Sequence, residues 1–196
     1  MLHTHARHQV DAVTTGVGMV ATAAWCSRAL AKHHYDVALN FGVCGSFDPA
    51  LEPGAVVHVV SDHLSELGAE DGDSFLTLDD LALLEENAFP FRRGALVNDA
   101  PPRNPVLERL PAVTGITVNT VHGNERTIAE VSRRFRPQVE SMEGAAFMYA
   151  CLIHQVPFAQ VRAVSNLVEK RNRAAWKMAE AIEALNGTAR KIIGGP

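Results

Sequence analysis

Apolar runs of strand length alternate with helical patterns along the chain. Residues 10–15 read as a strand, and Gly16-Val17-Gly18 turns it into a helix over residues 19–34. Residues 37–43 are nearly continuous in apolar side chains, the mark of a strand covered on both faces. A third strand, residues 55–61, follows the turn Glu52-Pro53-Gly54. Residues 62–94 are mixed, with an acidic loop (Glu66, Glu70, Asp71, Asp73) and a short helix expected over 78–86. Residues 95–98 and 115–118 read as strands on either side of the link Pro101-Pro102-Arg103-Asn104-Pro105. An amphipathic helix is expected over 124–135 and a short strand over 139–141. A helix over 142–155, a buried strand over 158–165 and a terminal helix over 172–193 complete the pattern. Such alternation predicts an α/β protein, with helices layered on a parallel or mixed sheet. Sites in these sheets form beyond the carboxyl ends of strands. Cys44–Phe47, His122–Asn124, Met142-Glu143 and Ser165-Asn166 all fall at such ends, so one pocket can draw on all four.

Composition narrows the class. A chain of 196 residues, 47% apolar and 20% charged, suits one soluble domain over 1–196 with a sizeable core. A net charge of −4 without a long basic run argues against nucleic acid as partner. No apolar run approaches membrane-spanning length, and the first residues lack a signal-peptide core. Three cysteines, Cys26, Cys44 and Cys151, lie in apolar segments without a Cys-x-x-Cys spacing, which fits a reducing cytoplasm.

Several motifs lose to simpler readings. Gly16-Val17-Gly18-Met19-Val20-Ala21 has the G-x-G-x-x-A form of a dinucleotide fingerprint. Its acid should end the second strand, yet Asp36 precedes it, so a tight strand-to-helix turn is the better account. Gly42-Val43-Cys44-Gly45-Ser46 lacks the second glycine of a nucleophile elbow, and no cation in sequence would activate the thiol. Nine histidines show no metal-ligand spacing, and His33-His34 suit a helix end. His122 stands apart, in the polar turn Asn119-Thr120-Val121-His122-Gly123-Asn124. Glu143 starts an apolar helix, where a carboxylate is favoured anyway. Its company raises its interest: Glu140-Ser141-Met142 before it, and small residues after it that allow close approach.

Four segments together resemble the nucleoside phosphorylase/nucleosidase superfamily. They are Thr15-Gly-Val-Gly-Met, Asn40-Phe-Gly-Val-Cys-Gly-Ser, Val139-Glu-Ser-Met-Glu-Gly-Ala-Ala and Arg162-Ala-Val-Ser-Asn. Three more look narrowly like the futalosine hydrolases of menaquinone biosynthesis: Glu66-Leu-Gly-Ala-Glu-Asp-Gly-Asp, Val118-Asn-Thr-Val-His-Gly-Asn-Glu and Val168-Glu-Lys-Arg-Asn-Arg-Ala-Ala-Trp. The resemblance implies a three-layer α/β/α sandwich with a central mixed sheet, a homodimer, and neither metal nor organic cofactor. It implies that Glu143 holds ribose hydroxyls beside Ser141 and Met142, and that Arg162 lies near the attacking water. Val43, Cys44 and Gly45 would line the ribosyl and water site. His122, Gly123 and Asn124 would form the base loop, and Asn166 would meet the purine near N7.

Three departures from the family pattern carry chemistry. Nucleosidases that act on adenine nucleosides resemble this chain but have aspartate at the position of Asn166. An amide can donate to N7 or to a 6-oxo group but is no proton source, which favours hypoxanthine, the base of futalosine. Asn40 and Val43 stand where the phosphorylases place an arginine and a serine on phosphate, so hydrolysis is expected rather than phosphorolysis. Third, no apolar strand precedes residue 10, so the sheet is expected to lack the family's first strand and the acid it carries. Arg171, Arg173 and Arg126 are candidates for the carboxyphenyl tail of futalosine, although a solvated helix start explains Arg171 and Arg173 equally well. Adenine release from methylthioadenosine would point instead to a methylthioadenosine/S-adenosylhomocysteine nucleosidase. Strict phosphate dependence would point to a purine nucleoside phosphorylase, and hypoxanthine binding without turnover to an inactive nucleoside-binding protein.

Overall fold

The computed structural model describes residues 2–5, 8–85 and 87–194. Six strands build the central sheet: β3 (Ala38–Ser46), β4 (Val56–Leu64), β7 (Ala95–Val97), β8 (Ala112–Thr117), β9 (Val139–Ser141) and β10 (Phe158–Leu167), in the order β10-β3-β9-β8-β4-β7. The sheet is mixed: β10 runs parallel to β3, and β8 parallel to both β4 and β9, while β3–β9 and β4–β7 are antiparallel. β10 also pairs antiparallel with β4, at Gln160–Ala163 against Val56–Val59. The sheet therefore curls until β10, β3, β9, β8 and β4 close a ring, which leaves those strands without an open edge. Cys44, Val57, Val59, Val113, Val139 and Val164, drawn from all five ring strands, pack together with Leu51 as one core cluster.

Helices cover the outside of the sheet in two layers. Along β10, Ala159, Val161 and Ala163 alternate outward and bury against Ala181, Leu185 and Ile192 of α4 (Met178–Gly194). On the other side α3 (Gly144–Ile153) buries Ala145, Phe147, Met148 and Cys151, with Cys26 and Leu30 of α1 (Met19–Lys32) packed behind it. With β10 covered on both faces, Phe158–Ser165 is buried at every position, the polar Gln160, Arg162 and Ser165 included. α2 (Glu125–Phe135) is capped by Asn124, whose Oδ1 accepts from the Arg126 N–H at 2.9 Å. The layered α/β order expected from the sequence is present.

Two expected elements differ in kind, and the terminal helix expected from residue 172 begins only at Met178. Residues 10–15 do not form a strand of the central sheet. Instead β2 (His8–Asp11) pairs antiparallel with β1 (Leu2–His5) in a separate two-stranded sheet, and residues 12–16 carry no strand. The strands of the central sheet all come from residue 38 onward. The helix expected over 78–86 is absent as far as residue 85; Glu86 lies outside the described residues. Asp80 Oδ2 accepts from both the N–H and the hydroxyl of Thr77, and Ala82 sits at φ 52°, so local side-chain bonds and a left-handed residue replace the helix with turns. The acidic stretch before it is a hairpin, β5 (Gly68–Asp71) with β6 (Ser74–Thr77).

Candidate active site

Two register irregularities shape the centre of the ring. One lies between Val59 and Ser61 of β4, and it turns Asp62 onto the side that Val59 already occupies: both side chains approach Gly115. The other lies between Val164 and Asn166 of β10, so that Gly45 pairs with Asn166 rather than with Ser165. Bulges of this kind re-aim side chains beside functional sites. Here they bring two polar groups into an apolar framework.

The first centre is an ionic chain. Arg162 on β10 is 1% exposed, with the whole guanidinium inside the protein. Its Nη1 donates to Glu143 Oε2 at 3.3 Å and its Nη2 to Asn40 Oδ1 at 2.6 Å. The other oxygen of Glu143 accepts the Gly18 backbone N–H at 3.1 Å. Glu143 stands at the N-cap position of α3 without capping it; the Ser141 hydroxyl does so, accepting from the Gly144 N–H at 3.1 Å. The carboxylate is thus free of its own helix and held by two donors from distant parts of the chain.

Next to this chain lies Asp62, whose Oδ1 accepts from the Thr117 hydroxyl at 2.9 Å and Oδ2 from Gln160 Nε2 at 3.0 Å. A Cβ added to Gly144 would run into Asp62 and Gln160. The small residue at this helix start therefore admits a buried polar cluster. Burial raises the Asp62 carboxyl to about 6, against the lowering pull of Gln160, Thr117 and Arg162. The native form binds this proton more tightly than the unfolded chain. Its contribution to stability is greatest below the unfolded value of 3.8 and is lost as pH rises through about 6. The loss amounts to about 3 kcal/mol. Asp62→Asn abolishes it, because an amide does not titrate in this range, and Gln160 Oε1, which has no partner among the described residues, can accept the new amide once its side chain turns over. Denaturant titrations at pH 4 and pH 7 should show the stability of Asp62→Asn relative to wild type rising by about that amount. A difference that does not change with pH would refute this account.

The second centre is a cleft lined by Gly45, His122, Glu140, Asn166, Arg171 and Trp176, among others. The Ser165 hydroxyl lies 2.8 Å from Asn166 Oδ1 and 3.1 Å from the Cys44 carbonyl. Asn166 Nδ2 donates to the Leu167 carbonyl at 2.8 Å, and its second N–H is left for a ligand. His122 is clamped from below: Glu140 Oε2 lies 2.6 Å from its Nδ1, and Oε1 accepts its backbone N–H at 3.1 Å. Arg171 lies over the Trp176 ring at 5.7 Å. The cleft measures about 50 Å³, against roughly 300–1,000 Å³ for a small-molecule pocket, so a base taken up here must part its walls.

The sequence-derived candidates are therefore divided between two neighbouring centres. Glu143 and Arg162 meet in one, and Gly45, His122 and Asn166 line the other. β10 joins them, carrying Arg162 opposite Gly42 and Asn166 opposite Gly45. Val43 turns its side chain toward the α4 layer and Cys44 is core, so both can serve a ligand only through backbone. Burial pushes the Cys44 thiol up to about 12, which leaves it inert. Met142 packs against Ile116, Val118 and Val131, Gly123 accepts the Arg171 N–H through its carbonyl, and Asn124 is occupied as the α2 cap. Ser141 is occupied at the start of α3. Sequence reasoning passed over Glu140 and Asp62 as site residues. Both are acids inside strand runs, and a buried acid there was the available signal.

The sequence model of the Phosphorylase superfamily matches residues 1–193, and the chain belongs to that superfamily. Within it, the chain is similar to futalosine hydrolase of Streptomyces coelicolor, 31% identical over 194 residues covering 93% of this chain and 77% of the relative. Futalosine hydrolase of Thermus thermophilus is 31% identical over 182 residues, covering 91% of this chain and 79% of the relative. Among solved structures, the S-adenosylhomocysteine nucleosidase of Streptococcus pyogenes bound to 5-methylthiotubericidin superposes with a TM-score of 0.79 at 17% identity, covering 98% of this chain and 82% of that one. That last likeness establishes the fold.

Proposed function

We propose that the chain hydrolyses the N-glycosidic bond of futalosine, releasing hypoxanthine and dehypoxanthine futalosine in the futalosine route of menaquinone biosynthesis. The observation that carries this reading is the Asn166 amide, with its oxygen held by Ser165 and an N–H left for the cleft. A donor at that place suits the N7 or the 6-oxo oxygen of hypoxanthine. The similarity to two futalosine hydrolases agrees with it.

Glu143 grips the ribose hydroxyls as the sugar gains oxocarbenium character. Its carboxylate opposes the growing positive charge, so its bonds tighten on the way to the transition state. Arg162 is fully buried and engaged by Glu143 and Asn40, which makes it a positioning residue for that carboxylate. The same pairing supports water as the nucleophile, since both terminal nitrogens of this guanidinium already have partners. The backbone of Val43, Cys44 and Gly45 lines the sugar side, and His122 and Gly123 the base side. Ser141 and Met142 hold the turn that presents Glu143. Arg171 shares the cleft with Asn166, so it bears on the base end rather than on the carboxyphenyl tail. The active form in this proposal is a cytoplasmic homodimer. Exposed Val17, Val20 and Trp25 on and before α1, and Tyr149 and Ile153 on α3, offer an apolar face for a second copy.

Chromatography of reaction mixtures tests the proposal. Hypoxanthine should appear from futalosine without phosphate, and faster than adenine from methylthioadenosine; the reverse preference overturns it. Asn166→Asp should shift the ratio of kcat/KM toward the 6-amino counterpart of futalosine by about 10–100-fold. A carboxyl can accept from the 6-amino group, and a mismatched buried pair costs roughly 1–3 kcal/mol. An unchanged ratio would mean that Asn166 does not read the base.

A further inference from the structure

Asn166 leaves a gap in the chemistry. Breaking the N-glycosidic bond sends the bonding electrons to the purine, and an oxopurine anion is a poor leaving group unless protonated. An asparagine amide can stabilise that anion but cannot give it a proton. If the proposed function holds, another group in the cleft must do so.

The cleft contains one suitable arrangement. His122 Nδ1 and Glu140 Oε2 are 2.6 Å apart, and Glu140 is 4% exposed on its side-chain surface against 14% for His122. A buried carboxylate paired to Nδ1 fixes the ring orientation and leaves the remaining nitrogen, Nε2, for a ligand. The second oxygen of Glu140 holds the His122 backbone N–H, so the loop and its side chain are anchored at one point. Phe47 meets the imidazole edge-on at 6.3 Å between ring centres and closes another side. Nothing in the ring framework requires such a pair. Val139 and Ser141 flank Glu140 as ordinary buried strand positions, and only Glu140 turns toward the cleft.

We propose that His122, as an imidazolium paired to Glu140, is the acid that protonates the departing oxopurine, and that Glu140 is its positioning residue. The C1′–N bond breaks as Nε2 gives its proton to the base. Water adds to C1′, and the proton it loses returns through solvent to the imidazole. The sum is one water consumed and one neutral base released. Charged groups facing His122 are Glu140 from β9, and Glu169 and Arg171 from the segment after β10.

The pair is tested with two substrates. For futalosine, His122→Gln should lower kcat by about 10²-fold or more. Glu140→Gln should lower kcat by about tenfold while KM stays within a few-fold, because the acid is still present but no longer held in place. With 4-nitrophenyl riboside, whose leaving group departs without a proton, the loss from His122→Gln should be at least about tenfold smaller than on futalosine, and an unchanged thermal unfolding midpoint certifies the fold. Equal losses on both substrates, or no loss on futalosine, overturn the assignment while leaving futalosine hydrolysis standing. Absence of hypoxanthine release by the wild type overturns the function and this role together.

Discussion

Glu143→Gln should lower the rate of hypoxanthine release from futalosine by about 10²–10³-fold, the usual loss when one preorganised electrostatic group is removed from a transition state. The change preserves shape and the acceptor for the Gly18 N–H. It removes the negative charge that faces the sugar, and it sets an amide N–H against Arg162 Nη1 where a carboxylate oxygen had accepted at 3.3 Å. The ground-state ribose is neutral and loses little, so the loss should fall on kcat and leave KM within a few-fold. Single-turnover kinetics on the purified variant separates the chemical step from product release. A variant within tenfold of wild type would show that the carboxylate does not oppose sugar charge.

Strand and helix order was legible because most of it is local. β9 occupies residues 139–141 as expected, and α2 and α3 differ from expectation only at their ends. What local patterns could not reveal was pairing between distant segments. The closure of β10 onto β4 depends on a curl to which no single stretch testifies. Residues 8–11 have strand character, but whether they join the central sheet depends on which partner is available, and they pair with residues 2–5. The same limit applied at the site. Glu143 and Asn166 stood out because they sit at element ends within recognisable segments, and Arg162 because its segment is recognisable although it lies in mid-strand. Asp62 lies inside a strand, and alternation counted across its bulge gives the wrong face. Glu140 was visible only as company for Glu143, because its partner His122 lies 18 residues away on another strand's exit.

Arg162 should be the residue whose loss the fold tolerates least. It is a cation buried at 1% exposure, held by Glu143 and Asn40 and acting also on the Asp62 carboxyl. Arg162→Met leaves the Glu143 carboxylate without its counter-ion and takes away a cation that also acts on Asp62, and breaking a buried pair in this way costs about 3–5 kcal/mol. For a chain of this size that corresponds to a fall in Tm of roughly 10 °C. Activity should fall with it, since Glu143 loses one of its two donors. Gly42→Ala asks the same question without deleting charge. Gly42 pairs with Arg162 across β3 and β10, and an added Cβ would occupy the place of the guanidinium. The side chain there is packed and doubly bonded, so it cannot swing clear as a surface arginine would. The cost of Arg162→Met should be partly relieved by Glu143→Gln, because neutralising the orphaned acid removes the charge that the methionine leaves unpaired. A double-mutant cycle read by calorimetry should therefore show a coupling of about 1–3 kcal/mol between the two positions. Strict additivity would mean that the ion pair contributes nothing as a pair, and that Arg162 serves the ring by volume alone.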